Sequence, residues 1–209
     1  MLRIAALGLL ITIFFPGNCA AVEKSKLVGD GLVVVFDEPA RGLAREVAAE
    51  FPVLRARLEE ALGREADFGP GVTVVLLGEA EFEDLVGQTP IVAFASGSDN
   101  AIVVGVSRAE RDADRFSSIL KHEMAHLFLA GYIKGDNLPR WLNEGVCQWV
   151  SGGISELLSI GRTTELERAT LLGRLMPLEN LARGFPADDK HLKLAYQQSL
   201  SFVEFVVEE

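Results

Sequence analysis

Two of the three histidines in this 209-residue chain stand four positions apart, in the segment Lys121-His122-Glu123-Met124-Ala125-His126-Leu127-Phe128. That spacing constrains the backbone. A helix stacks residues i and i+4 on one face, where two imidazoles can reach a common point. Placed so, His122 and His126 can share a metal ion, and Glu123 projects beside them, able to take a proton from water bound to that ion. The pattern H-E-x-x-H is short enough to arise by chance, so its meaning depends on the residues downstream of it.

Seventeen positions after His126 lies Asn143-Glu144, within Pro139-Arg140-Trp141-Leu142-Asn143-Glu144-Gly145. A catalytic zinc takes three protein ligands and leaves its fourth position to water. Glu144 sits inside an otherwise apolar, helix-like run. Pro139 suits the first turn of a helix, and Asn137 can cap just before it. Trp141, Leu142, Val146, Trp149 and Val150 predict a broad buried face that draws Glu144 inward. A carboxylate among apolar neighbours needs a partner, and a metal is a good one. The alternative is a solvated helix charge. Asn143 and Gln148 are candidates for contacts that orient the ligands; for Gln148, one turn after Glu144, solvent exposure is the alternative.

H-E-x-x-H followed by W-L-N-E-G resembles the gluzincin zinc peptidases, in particular the peptidase MA-like group. The likeness extends along most of residues 32–205. Strand-like Val33–Phe36, Val72–Leu77, Ile91–Ala95 and Ile102–Val106 precede the motif helix, as in the N-terminal half of a thermolysin-like fold. Met176–Leu181 and Ala195–Val203 are similar to segments that come after the glutamate ligand in that group. The resemblance implies an α+β zincin fold, with a small mixed sheet and helices before the motif helix and an all-helical C-terminal lobe. It implies one Zn2+ held by His122, His126 and Glu144, with Glu123 as general base on the zinc-bound water and a peptide or protein as substrate.

Related gluzincins place an oxyanion donor, tyrosine or histidine, well past the glutamate ligand. Tyr196 matches in kind and rough position; the alternative is a tyrosine packed on its helix with the hydroxyl at the surface. His191 is the other candidate, in the solvated setting Lys190-His191-Leu192-Lys193. The resemblance also implies that one strand of a hairpin is a sheet edge overlooking the zinc. An exposed edge can accept an extended peptide as an added strand. Ala93, Phe94 and Ala95 are the candidates for that contact, with plain core packing as the alternative. Gluzincin aminopeptidases carry a glutamate on that strand, and Ile91-Val92-Ala93-Phe94-Ala95-Ser96 has none, which favours an endopeptidase.

Two rival readings stand beside this one. A non-catalytic peptide-binding module would keep the groove without turnover, yet degenerate enzymes lose the base or a ligand, and here both are intact. A structural zinc site is closed by four ligands rich in cysteine, and downstream of position 19 the chain offers Cys147 alone. Cys147 reads as a small buried residue; a nucleophile or fourth ligand is the alternative.

Composition bounds the rest. The hydrophobic fraction of 49% gives one domain a sizeable core. Thirty acidic residues against 20 basic ones give a net charge of −10, with no Lys/Arg stripe, which argues against nucleic acid or an anionic membrane as partner. Met1-Leu2-Arg3, the apolar run Ile4–Phe15 and the small residues Cys19-Ala20-Ala21 describe a secretory signal, with cleavage expected after Ala21. The run is too short to span a bilayer. Lipid anchoring through Cys19 fits less well, because Pro16 and Asn18 are poor neighbours. The expected location is periplasmic or extracellular.

Along the chain, the apolar run Leu32–Phe36 predicts a strand covered on both faces. A helix from Asp37-Glu38-Pro39 carries the stripe Leu43, Val47, Phe51, Leu54, Leu58, Leu62, kinked or split at Pro52 and ended by Gly63. Gly69-Pro70-Gly71 turns into the strand Val72–Leu77, and Glu79–Val86 forms a short helix. Ser96–Asn100 turns an antiparallel hairpin. The motif helix runs roughly from Phe116 to Leu129 with Gly131 near its end, and segments 155–175 and 188–207 read as helical. These elements make one domain, residues 22–209, with an α/β lobe to about residue 131 and a helical lobe from about residue 138. Glu208-Glu209 put negative charge at a helix C-terminus, where the macrodipole disfavours it, so a longer natural chain or a frayed helix is expected.

Overall fold

The computed structural model describes residues 24–87, 89–133, 138–153 and 164–209. The proposed signal segment, Asn137 and most of the first half of the 155–175 segment lie outside these residues.

A five-stranded mixed sheet organises the first part of the chain. Its order is β1-β2-β3-β5-β4, with β1 Ser25–Gly29, β2 Leu32–Phe36, β3 Val72–Leu77, β4 Ala93–Ser96 and β5 Ala101–Gly105. β2, β3 and β5 run parallel, while β1 and β4 pair antiparallel at the two edges. β1 is not expected from the sequence pattern. It closes on β2 through the two residues Asp30-Gly31, with Gly31 at φ +67°. Asp-Gly is a favoured pair for a tight hairpin, because such turns need positive φ. In β2 burial alternates, with Leu32, Val34 and Phe36 buried and Val33 and Val35 half-buried. The expectation of a strand covered on both faces is thus corrected: β2 lies next to the edge strand, and one face is open to partial solvation.

Period-2 alternation divides the core. Val34, Phe36, Val74, Leu76, Ile102 and Val104 face one side, where helix α1 (Arg41–Leu62) and helix α4 (Ala113–Tyr132) pack on them. Val75, Leu77 and Val103 face the other side, covered by Phe82 of α2 (Glu79–Val86). A single 3-10 turn, Glu38–Ala40, precedes α1. α1 then runs through Pro52 unsplit. Pro52 sits on the exposed face, and Phe51 and Leu54 on the buried face are held by the same core, so the lost backbone bond is left to solvent.

After β5 comes α3 (Val106–Arg111), where the sequence suggested continuing strand at Val106. Gly131 lies near the end of α4, as expected, just before the last helical residue Tyr132; a Cβ on it would collide with the Asp67 carbonyl oxygen, and Ile133 follows as the cap. From here every described element is helical: α5 Arg140–Val150, α6 Thr164–Leu171, α7 Leu178–Arg183 and α8 Asp189–Glu208. α5 packs between α4 and α8. Gly145 makes the α5–α8 approach possible, because any Cβ on it would strike the Ser199 carbonyl oxygen and lie 2.7 Å from Val203 Cγ2. Among the described residues no helix is long and apolar enough to cross a membrane.

Candidate metal centre

α4 presents His122 and His126 one turn apart, and their Nε2 atoms approach to 3.2 Å. The rings stand nearly perpendicular, at 79°, so both nitrogens are aimed at one region and do not stack. α5 brings in Glu144, 6% exposed, whose Oε2 lies 3.8 Å from His122 Nε2 and 3.7 Å from His126 Nε2. That oxygen is buried and makes no hydrogen bond. The solvated-charge alternative for Glu144 is therefore excluded.

These separations fit a cation. Donors about 2.0–2.2 Å from a tetrahedral zinc stand roughly 3.3 Å from one another, and the three observed distances bracket that value. Two imidazole nitrogens and a carboxylate oxygen converging in one buried space suit a shared positive centre, which would satisfy all three at once. Among the described residues this is the one group of His, Cys, Asp and Glu side chains placed to hold a metal.

Protonation is consistent with ligation. Burial pushes the His126 imidazole down to about 4, against the raising pull of Glu144, so it is neutral near pH 7. Burial alone would push the Glu144 carboxyl up; the two imidazoles and the Arg140 guanidinium outweigh it and hold it below the usual carboxylate range. His126 Nδ1 donates to Asn143 Oδ1 at 2.7 Å. With its proton on Nδ1, the ring leaves Nε2 free to ligate. Asn143 thus meets the His126 ring, the kind of contact the sequence suggested for it.

A family model described as Peptidase MA superfamily matches residues 85–209. The chain belongs to the peptidase MA superfamily. The match runs from the end of α2 through α8 and takes in all three donors. Membership supports a peptidase, a hydrolase of peptide or protein substrates, in a superfamily that is typically metal-dependent. No curated protein matches the chain.

The remaining sequence candidates fall unevenly around these three side chains of the peptidase MA chain. Glu123 is fully buried on α4. Gln148 is buried, but its Nε2 donates to the backbone oxygens of Glu144 and Tyr196, tying α5 to α8 and orienting no ligand side chain. The buried face of α5 carries Glu144, Gly145, Cys147, Gln148 and Val150. Trp141, Leu142, Val146 and Trp149 are half-buried, which corrects the expected apolar face: the helix turns its polar donor side inward. Cys147 is buried, with Sγ 3.3 Å from His126 Nδ1, the ring nitrogen turned away from the donors. It is a packed small residue outside the ligand set.

Tyr196 is 2% exposed, so its hydroxyl is not at the surface. Its ring meets Phe185 edge-on at 5.0 Å. His191 lies in the exposed first turn of α8, its Nδ1 2.7 Å from Asp188 Oδ1, and is not gathered to the donors. Ala93 and Ala95 pack into the core on the α4 side of the sheet, whereas Phe94 packs towards Phe82 on the far side. One residue near the donors received no role from the sequence: Arg140. It stands four positions before Glu144, a helix-neighbour spacing that could have flagged it.

Proposed function

We propose that this chain is a zinc-dependent metallopeptidase of gluzincin type, built on a thermolysin-like zincin fold and acting on internal peptide bonds. The observation that supports it is the buried, unbonded Glu144 oxygen facing two imidazole nitrogens.

In this reading His122, His126 and Glu144 hold one Zn2+. Bound there, zinc would supply a water of lowered pKa and polarise the scissile carbonyl. Glu123 accepts the proton of the attacking water and delivers it to the departing amine. Asn143 keeps the His126 ring in the ligating tautomer. Tyr196 is the proposed donor to the oxygen that gains charge as the carbonyl is attacked. The peptide lies along the backbone edge of β4, at Ala93–Ala95, as an added strand. Without a glutamate on that edge, nothing there favours a free amino terminus. Residues 1–21 are proposed as the export signal.

The test is metal analysis joined to digestion of a broad peptide mixture, with wild type and Glu123→Gln in parallel. The reading expects one zinc per chain in both proteins and cleavage, including of end-blocked peptides, in wild type alone. Zinc-free wild type, or equal cleavage by Glu123→Gln, would overturn it. Loss of turnover with biological function retained in Glu123→Gln would favour a peptide-binding module instead.

A further inference from the structure

Arg140 stands beside the donor set, in the first turn of α5. Its Nη2 is 3.7 Å from Glu144 Oε1, the oxygen of that carboxylate not turned towards the imidazoles. At that distance the contact is an ion pair without a hydrogen bond. The guanidinium is held from behind by the Phe185 ring, 5.0 Å below it, and Phe185 in turn rests on Tyr196. Among the described residues no side-chain or backbone acceptor takes a hydrogen bond from it, and 48% of the side chain is open. A guanidinium presents five donors in a planar fork suited to a carboxylate. Here the fork is backed by an aromatic ring, close to the donors, and among the described residues it makes no hydrogen bond.

Arg140 is a local cation against an acidic background. The chain carries a net −10, so an anionic substrate would be repelled by most of its surface. A cation at the start of α5 offsets that repulsion where the substrate must sit. Glu144 leaves the guanidinium donors to spare, since their contact is a single 3.7 Å approach without a hydrogen bond.

We propose that Arg140 is a specificity residue of this site and binds a substrate carboxylate close to the bond that is cleaved. The proposal rests on the peptidase reading. An extended peptide advances about 3.3 Å per residue, so an acidic group within one or two residues of the reacting carbonyl can reach the guanidinium. The carboxylate can be an Asp or Glu side chain or the end of a peptide chain.

The test uses randomised octapeptides in two forms, one blocked at both ends and one with a free C-terminus. Metal-loaded wild type, Arg140→Gln and Arg140→Glu are compared, with cleavage sites read by mass spectrometry. Wild type should favour sites with a nearby carboxylate about tenfold or more, the scale of a charge-assisted hydrogen bond. Arg140→Gln should lose that preference and Arg140→Glu should turn it towards Lys and Arg, a reversal that a merely structural role does not produce. Enrichment of Asp and Glu in the blocked set assigns the side chain; enrichment confined to the free set assigns the chain end. The same mixtures are passed over immobilised Glu123→Gln protein with and without Arg140→Gln, which reads recognition without turnover. Acid-selective, Arg140-dependent retention with no cleavage by wild type would sink the peptidase reading and leave only carboxylate recognition by Arg140 standing. Cleavage or retention indifferent to acidic residues, or unchanged in Arg140→Gln, overturns it.

Discussion

At the scale of single residues, the donor set makes two demands that can be measured. Asn143 accepts the His126 Nδ1 proton, so Asn143→Ala should leave the fold intact and weaken metal binding about 10- to 100-fold, the usual effect of losing an orienting partner. Competition against a chelator of known affinity reads this directly. The second demand concerns protons. His126 is held near 4 by burial, below its ordinary 6.5. Between those values the unfolded chain binds more protons than the folded one, so stability falls as pH falls through that window. Glu144, held below its ordinary value, adds a loss of the same sign at still lower pH. The urea midpoint of metal-free protein should therefore decline from pH 6.5 to 4. A flat profile would show that His126 is not buried neutral.

His122 and His126 were legible from their spacing, and Glu144 from its apolar setting and the family resemblance; the three donor atoms lie within 4.8 Å of one another. Arg140 was legible only as a helix neighbour of Glu144; its contact with Phe185 was not, because that depends on α5 meeting the segment before α8, which no local pattern encodes. Cys147 was legible as a packed thiol by its type, though not its position behind His126.

Elements tell a similar story with different exceptions. β2, β3, α2 and the β4–β5 hairpin arise from apolar runs and turn residues. β1 was hidden, since its exposed, mixed sequence gains strand form from pairing with β2, although Asp30-Gly31 announced the turn. Pro52 does not split α1, because helix continuity is decided by the buried side of that helix. Two substitutions test how elements are held. Gly145→Ala puts a methyl into the α5–α8 contact and should destabilise by about 1–3 kcal/mol in denaturant titration, outweighing alanine's better helix propensity. Arg108 is buried, donates to Glu79 and to the backbone oxygens of Thr89 and Ile91, and so fixes the approach to β4. Arg108→Ala should cost about 1–3 kcal/mol, because the Thr89 and Ile91 oxygens lose their donor while the partly exposed Glu79 is solvated again. Amide exchange should accelerate in β4 before it does in β3.

For the whole molecule, sheet and helices divide the labour. The sheet core packs against α1 and α4 and sets where the motif helix lies, while α5, pinned by α8, delivers the third donor. A bound ion should raise the thermal midpoint by mass action, and Glu144→Gln should abolish most of that rise in a melt with and without zinc.

His122 and His126 sit on one helix and Glu144 on the next, so an ion joining them staples near neighbours along the chain. Closing a short loop removes little freedom from the unfolded ensemble. Most of the ion's contribution is then coordination itself, added to a core that is already complete. Stripped by a chelator, the protein should keep its far-ultraviolet dichroism and melt earlier, unlike small domains that unravel without their metal.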